Sequence, residues 1–321
     1  MQRLPTTDLY FRWACRNWIT RPWRKGPVRQ LGANTFVQGN TLLLLRRDED
    51  TLMERALTWP GRLAYLIDDD IAAARDSPEL PSDYRRRLTE FDECHHQRLL
   101  ARADTLVVPS ARLAQRLAAF APLVRIDPFW MHPPADARHF CGSRQRFRMV
   151  FLGSSSHQAA LQMIAATVRR VAERHTHLEF TYFGQTDAIP ELCGHPRIHR
   201  LRPMRWPRYA RWLARQRFHL ALYPMSPSPF DQARSANKIA EHAIVGAAAI
   251  YPADWAEARR LASTARFAGN HAAHWEEQIE RAMESNRQSQ LCPDATPDQL
   301  SPLFDANMQK SLWRNVLGII T

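Results

Sequence analysis

From residue 147 onward, short unbroken apolar runs alternate with longer stretches in which apolar residues recur every three to four positions. Residues 147–152 (FRMVFL) end at Gly153 and residues 178–183 (LEFTYF) end at Gly184, and the spacing between them predicts an amphipathic helix over about 158–174. Residues 197–201 predict a weaker strand, 207–216 a short helix rich in Arg and Trp, and 218–223 (FHLALY) a buried strand. A proline-rich loop over 224–230 leads into a helix from about Ser235 to Val245, a strand over 247–251, and helices over 254–262 and 272–285. Buried strands alternating with helices form the pattern of a doubly wound parallel sheet.

The first half repeats this grammar less cleanly. A strand ends at 40–45 (NTLLLL), a helix follows near 49–58, and the strand 62–67 (RLAYLI) runs into Asp68, Asp69 and Asp70. A long charged helix over 82–101, a strand over 105–108 and a helix over 111–120 come next. No period survives over 127–143, where Pro128, Pro133, Pro134 and Gly142 stiffen an interdomain connection. We place the boundary near residue 141, giving an N-terminal domain over 1–141 and a C-terminal domain over 142–321. A length of 321 residues with 45% hydrophobic content suits two domains with cores of ordinary size.

Composition narrows the class. The longest apolar stretch, 243–251, is about half of what a bilayer crossing needs, and MQRLPTTD lacks the apolar core of a signal peptide, so a soluble, cytoplasmic chain is expected. Cys15, Cys94, Cys141, Cys193 and Cys292 are odd in number and dispersed, which argues against a disulfide framework or a zinc ribbon. The formal charge is +12, almost all of it arginine, since Lys25, Lys238 and Lys310 are the only lysines. A nucleic acid, a phosphate-bearing small molecule or an anionic membrane would each answer that charge, and arginine usage can also be purely compositional.

The loop 224–234 follows a buried strand, and ligands of open parallel sheets bind at such carboxyl ends. Ser235 is a suitable N-cap, and free amides at a helix start favour phosphate. Arg234 and Lys238 add two positive charges there. Glu241, three residues after Lys238 on the same face, is placed to reach ribose hydroxyls; the plainer alternative is an exposed Lys238–Glu241 ion pair of little energetic weight.

The positions Phe230, Arg234, Ser235, Lys238, Glu241 and Gly246 resemble the donor-binding segment of GT-B glycosyltransferases, in the large retaining family of bacterial polysaccharide enzymes (glycosyl transferases group 1). Residues 104–110 (DTLVVPS) are similar to that family's strand ending in Ser or Thr near the cleft. Residues 133–140 (PPADARHF) resemble its interdomain linker, with Asp136 and Phe140 in register, and 150–157 (VFLGSSSH) its Gly-rich turn. Residues 65–71 (YLIDDDI) resemble the acidic strand end of some members. Ala233 stands where many members carry a first glutamate, and the opening strand with its glycine-rich loop is missing.

The resemblance implies two Rossmann-like domains facing across a cleft and transfer of a sugar from a nucleotide-diphosphate donor to a glycan or lipid-linked hydroxyl in cell-surface polysaccharide synthesis, with retention and without a metal or other cofactor. It implies Gly153, Ser154, Phe230, Arg234, Ser235, Lys238 and Glu241 as donor-binding residues. A scaffold with a degenerate transferase fold is the competing expectation.

Asp69 and Asp70 are candidates for orienting the acceptor hydroxyl, although Asp68, Asp69 and Asp70 equally suit a loop that caps the next helix. His157 is a candidate catalytic contact to donor phosphate or sugar. Of the run Asp92, Glu93, Cys94, His95 and His96, only Asp92 and His96 share a helical face for a metal; His271 and His274 also share one, without a third ligand nearby. Residues 10–29 interleave Tyr10, Phe11, Trp13, Trp18 and Trp23 with cations, which suits an anionic membrane surface as well as a set of buried rings. No nucleic-acid-binding signature accompanies them.

Overall fold

The computed structural model describes residues 3–136, 146–184, 189–292 and 295–319. The expected boundary near residue 141, with Phe140 and Cys141, lies outside them. Two six-stranded sheets account for the strands. In the second, β7 (Phe147–Phe151), β8 (Leu178–Phe183), β9 (Ile198–Leu201), β10 (Leu220–Leu222), β11 (Ala248–Pro252) and β12 (Arg266–Ala268) are parallel, in the order β12-β11-β10-β7-β8-β9. That is the order of a Rossmann sheet, and it reverses between β7 and β10, where a crevice opens beyond the strand ends.

The first sheet runs β1 (Arg29–Gln30), β2 (Thr35–Gln38), β3 (Thr41–Leu45), β4 (Arg62–Leu66), β5 (Thr105–Val108) and β6 (Leu123–Arg125) in sequential order. β1, β2 and β3 are antiparallel, and β3 to β6 are parallel. β2 and β3 form a hairpin through Gly39, whose φ of +52° favours glycine. The helix expected over 82–101 is interrupted: Ser82–Phe91 and Gln97–Arg102 flank a π-turn over Asp92–His96. His96 Nδ1 pairs with Tyr65 Oη at 2.8 Å, and Asp92 accepts from Gln97 at 2.7 Å. Among the described residues no cluster of metal-ligating side chains occurs, and no helix is long and apolar enough to cross a membrane.

The larger shared apolar cluster spans both halves. Tyr10, Phe11 and Phe36 pack with Trp130, and with Trp313 and Leu317 of the helix Ala306–Leu317, which returns to the first half. Trp313 Nε1 donates to the Tyr10 carbonyl at 2.5 Å, and the Phe11 and Trp313 rings meet edge-on with centroids 5.2 Å apart. Glu257 adds a polar tie, accepting from the Ala111 amide at 3.1 Å and from Arg125.

Candidate active site

Between the halves lies a cavity of about 410 Å³. Its second-half wall is the loop 152–158 after β7 together with the start of the helix Asn237–Ile244; its first-half wall is Asp68 and Asp69 after β4, Arg46, and residues 4–10. Gly153 is required where it stands: a Cβ there would come within 2.3 Å of the Phe151 ring and 2.8 Å of His157 Cβ. Ser154 and His157 also line the cavity.

Lys238 joins the two second-half pieces. Its Nζ donates to the Leu152 carbonyl at 2.5 Å and to Glu241 Oε2 at 2.6 Å. Glu241, 2% exposed, also accepts from Tyr209 Oη at 2.7 Å and from Asn237 Nδ2 at 2.9 Å, and Asn237 in turn accepts from Trp130 Nε1 at 2.8 Å. The Lys238–Glu241 pair is therefore not the exposed bridge that spacing alone allowed. Among the described residues, one ammonium proton of Lys238 has no acceptor, and Lys238 lines the cavity.

The helix begins two residues later than expected. Its N-cap is Ala236, with no side-chain cap, and the first helical bonds run from Ile239 and Ala240 to the Ala236 carbonyl. Ser235 is not the cap; it lines the cavity against the Tyr10 hydroxyl. Gly246, at φ +68°, closes the helix, with the Ala247 amide reaching back to the His242 carbonyl at 3.0 Å. Arg234 is fixed by Asp231, its Nε donating at 3.0 Å, and by the Ser156 carbonyl at 3.4 Å.

Two expected site residues do not face the cavity. Phe230 is 1% exposed and packs in the first half's apolar cluster, with the Arg234 guanidinium 4.6 Å from its ring centroid. It shapes Arg234 from behind, because the short helix Pro229–Gln232 turns its ring inward. Asp70 caps the helix Ile71–Arg75 through the Ala73 amide at 3.1 Å and pairs with Arg116 at 2.6 Å, so capping claims the carboxylate that the acceptor role required. Ala233, buried in the same cluster as Phe230, offers its carbonyl to Ser110 Oγ at 2.7 Å.

Asp69 does face the cavity. Arg46 approaches it at 2.8 Å, Arg46 also meets Asp68 at 3.2 Å, and Thr6 Oγ1 donates to Asp68 at 2.6 Å. Burial alone would raise the Asp69 carboxyl, but Arg46 and then Arg234 outweigh it and hold it below the ordinary range. Asp68 goes the other way, raised by burial with the Asp69 charge adding to it. His157, 6% exposed, is pushed well below the ordinary imidazole range by burial and by Arg234 and Lys238, which makes it neutral; its Nδ1 is buried and has no hydrogen-bond partner among the described residues.

Sequence reasoning missed Arg46, Tyr84, Tyr209, Asn237 and residues 4–10. The signals were faint: Asn237 stands four residues before Glu241, and Arg46 follows a strand at φ +62°, invisible in the sequence. The aromatic run also divides. Tyr10 and Phe11 are buried, Trp13 stacks on Trp206 with centroids 5.4 Å apart, Trp18 is half-buried under Arg314, and Trp23 alone stands out at 78% exposure. Residues 10–29 thus form no continuous surface platform.

Solved structures of the same architecture place this arrangement. The chain is similar to the pneumococcal O-GlcNAc transferase GtfA, solved with UDP and GlcNAc, at TM-score 0.56 and 13% identity, over 87% of this chain and 56% of that one. It is similar to a UDP-forming α,α-trehalose-phosphate synthase from Burkholderia xenovorans at TM-score 0.54 and 12% identity, over 83% of this chain and 70% of that one. The fold is that of a GT-B glycosyltransferase. No protein-family profile and no curated protein matches the sequence. In GT-B terms, the two sheets belong to two Rossmann-like domains and the cavity is the cleft between them. The chain spans little more than half the length of GtfA.

Proposed function

We propose that the protein transfers a sugar from a nucleotide-diphosphate sugar to a hydroxyl of a bacterial glycan or lipid-linked acceptor, with the domains divided near residue 141. The observation that carries this reading is Lys238, which ties the Gly153 loop to Glu241 and leaves a proton at the cavity beside Arg234. Arg234, Lys238 and the amides at the start of the helix Asn237–Ile244 hold the diphosphate and stabilise it as a leaving group. Glu241 Oε1, which accepts only from Asn237 among the described residues, takes a ribose hydroxyl. Gly153 and Ser154 let the donor approach the loop. Asp69 orients the acceptor hydroxyl, and neutral His157, which lines the cavity, contacts the donor. Two fixed cations supply the charge that a metal would otherwise bring, so transfer is metal-independent, with retention as in the resembling family.

Calorimetry with UDP, GDP and their sugars tests the reading. Binding that falls on the order of tenfold or more in Lys238→Ala and Glu241→Ala supports it, from the loss of one charge-assisted contact each. Absence of nucleotide binding in the wild type favours instead a scaffold with a degenerate transferase fold.

A further inference from the structure

Two stretches of the chain carry cations with no acid among them. Between Asp8 and Asp48 lie Arg12, Arg16, Arg21, Arg24, Lys25, Arg29, Arg46 and Arg47, and between Glu191 and Asp231 lie eight arginines. The fold joins these stretches where Trp13 stacks on Trp206. Asp8, at that junction, is buried and accepts from Trp206 Nε1 at 2.9 Å and pairs with Arg3 at 3.0 Å.

The helix Trp206–Leu213 is two-sided. Ala210 and Leu213 are buried, whereas Arg205, Arg208, Arg211 and Arg215 recur at helical spacing and are exposed. Exposed Arg200 and Arg202 precede them, and among the described residues none of these six forms an ion pair. In the other stretch, Trp23 sits at the tip of a turn closed by the bridge between Arg21 and Arg24, with the Arg21 guanidinium 5.8 Å from its ring centroid and Lys25 alongside.

We propose that this arginine face, with Trp23, docks on an anionic lipid bilayer. Guanidinium groups meet acidic headgroups, and the exposed indole enters the interfacial layer, where such rings are favoured. A single-stranded nucleic acid fits less well, because it needs open ring faces to stack on. Here Trp13, Trp206, Tyr209 and Trp212 are half-buried and stack on one another. Trp206 and Tyr209 also line the cavity, so the cationic helix is part of the cleft wall. The inference deepens the proposed transfer by making the acceptor lipid-linked, and it rests on that reading only for this use of the contact; docking itself does not depend on it.

Vesicle co-sedimentation tests it, with phosphatidylcholine alone and with an equimolar mixture of phosphatidylcholine and phosphatidylglycerol. The wild type is expected to bind only the anionic vesicles and to be released by salt. Neutralising three arginines in Arg208→Gln/Arg211→Gln/Arg215→Gln should weaken binding on the order of a hundredfold, at roughly fivefold per cation. Trp23→Ala should weaken it several-fold. The same charge change made elsewhere, in Arg75→Gln/Arg86→Gln/Arg112→Gln, should leave most of the binding in place. Equal loss in both triple variants, equal binding to neutral vesicles, or binding to an oligonucleotide but not to vesicles overturns the proposal. UDP calorimetry on the same variants separates the two readings: retained UDP binding without vesicle binding sinks only the docking surface, and vesicle binding without UDP binding sinks only the transferase.

Discussion

Arg234 Nη1 lies 3.9 Å from Asp69 Oδ1, across the cleft between the two domains. The guanidinium proposed to hold the donor diphosphate is thus shared with an acid of the first half. Asp69 is held ionised by Arg46 and Arg234 against its burial, so it competes with a phosphate for the same cation. Asp69→Asn is expected to tighten UDP binding on the order of fivefold, the equivalent of about 1 kcal/mol, while slowing transfer. Calorimetry read beside turnover checks this; weaker UDP binding would mean that Asp69 only supports Arg234.

Tyr209 donates to Glu241 Oε2 at 2.7 Å, and burial first, then the Glu241 charge, raises its phenol well above the ordinary range. Tyr209→Phe keeps the ring and removes one donor from a buried carboxylate. A stability loss of about 1–2 kcal/mol is expected in urea unfolding. Nucleotide affinity should fall less than in Glu241→Ala.

Three buried imidazoles give the pH dependence its sign. Burial pushes His96 and His242 down to about 3 and His157 well below its ordinary value of 6.5. The folded chain refuses protons that the unfolded chain takes up near pH 6.5, so their contribution is complete above that pH and is lost as pH falls toward the folded values. Each group costs up to about 1.4 kcal/mol per pH unit in that window. Asp8, Asp68 and Asp70, raised by burial, act in the opposite sense. Thermal melts stepped down from neutral pH should show a falling Tm, and His242→Asn should fall less steeply than the wild type.

Trp313 fills the junction between the last helix and residues 10–11. Trp313→Ala is expected to cost about 3–5 kcal/mol, and its loss should also enlarge the cavity's first-half wall by loosening residues 4–10. Hydrogen exchange at residues 5–12 would rise together with the drop in Tm; a Tm drop with unchanged exchange there would separate packing from that wall.

The second sheet was legible because its strands are apolar runs ended by glycine or proline, and each of β7, β8, β10 and β11 falls where the pattern predicted it. β12 was not, since Arg266–Ala268 is three residues long and half-buried. Lys238, Glu241, Arg234 and the Gly153 loop were found from local spacing and resemblance, and the structure brings them to one cavity. Phe230 and Asp70 were placed there too because a sequence gives a residue's neighbours but not the direction of its side chain. Arg46 and Tyr84 reach the cavity only through pairing between distant segments, which no local period encodes. The helix start moved from Ser235 to Asn237 because Ser235 packs against Tyr10, a tertiary contact that outweighs capping preference.

The hydrogen bond from Trp313 to the Tyr10 carbonyl spans 303 residues of chain. During synthesis, the first domain emerges long before the helix that completes its core, so Tyr10, Phe11 and Phe36 stand beside an open apolar face until residues 306–317 have been made. The nascent chain therefore presents that face to chaperones as a half-built domain, and a ribosome stalled before residue 306 would hold a first domain without its closing helix.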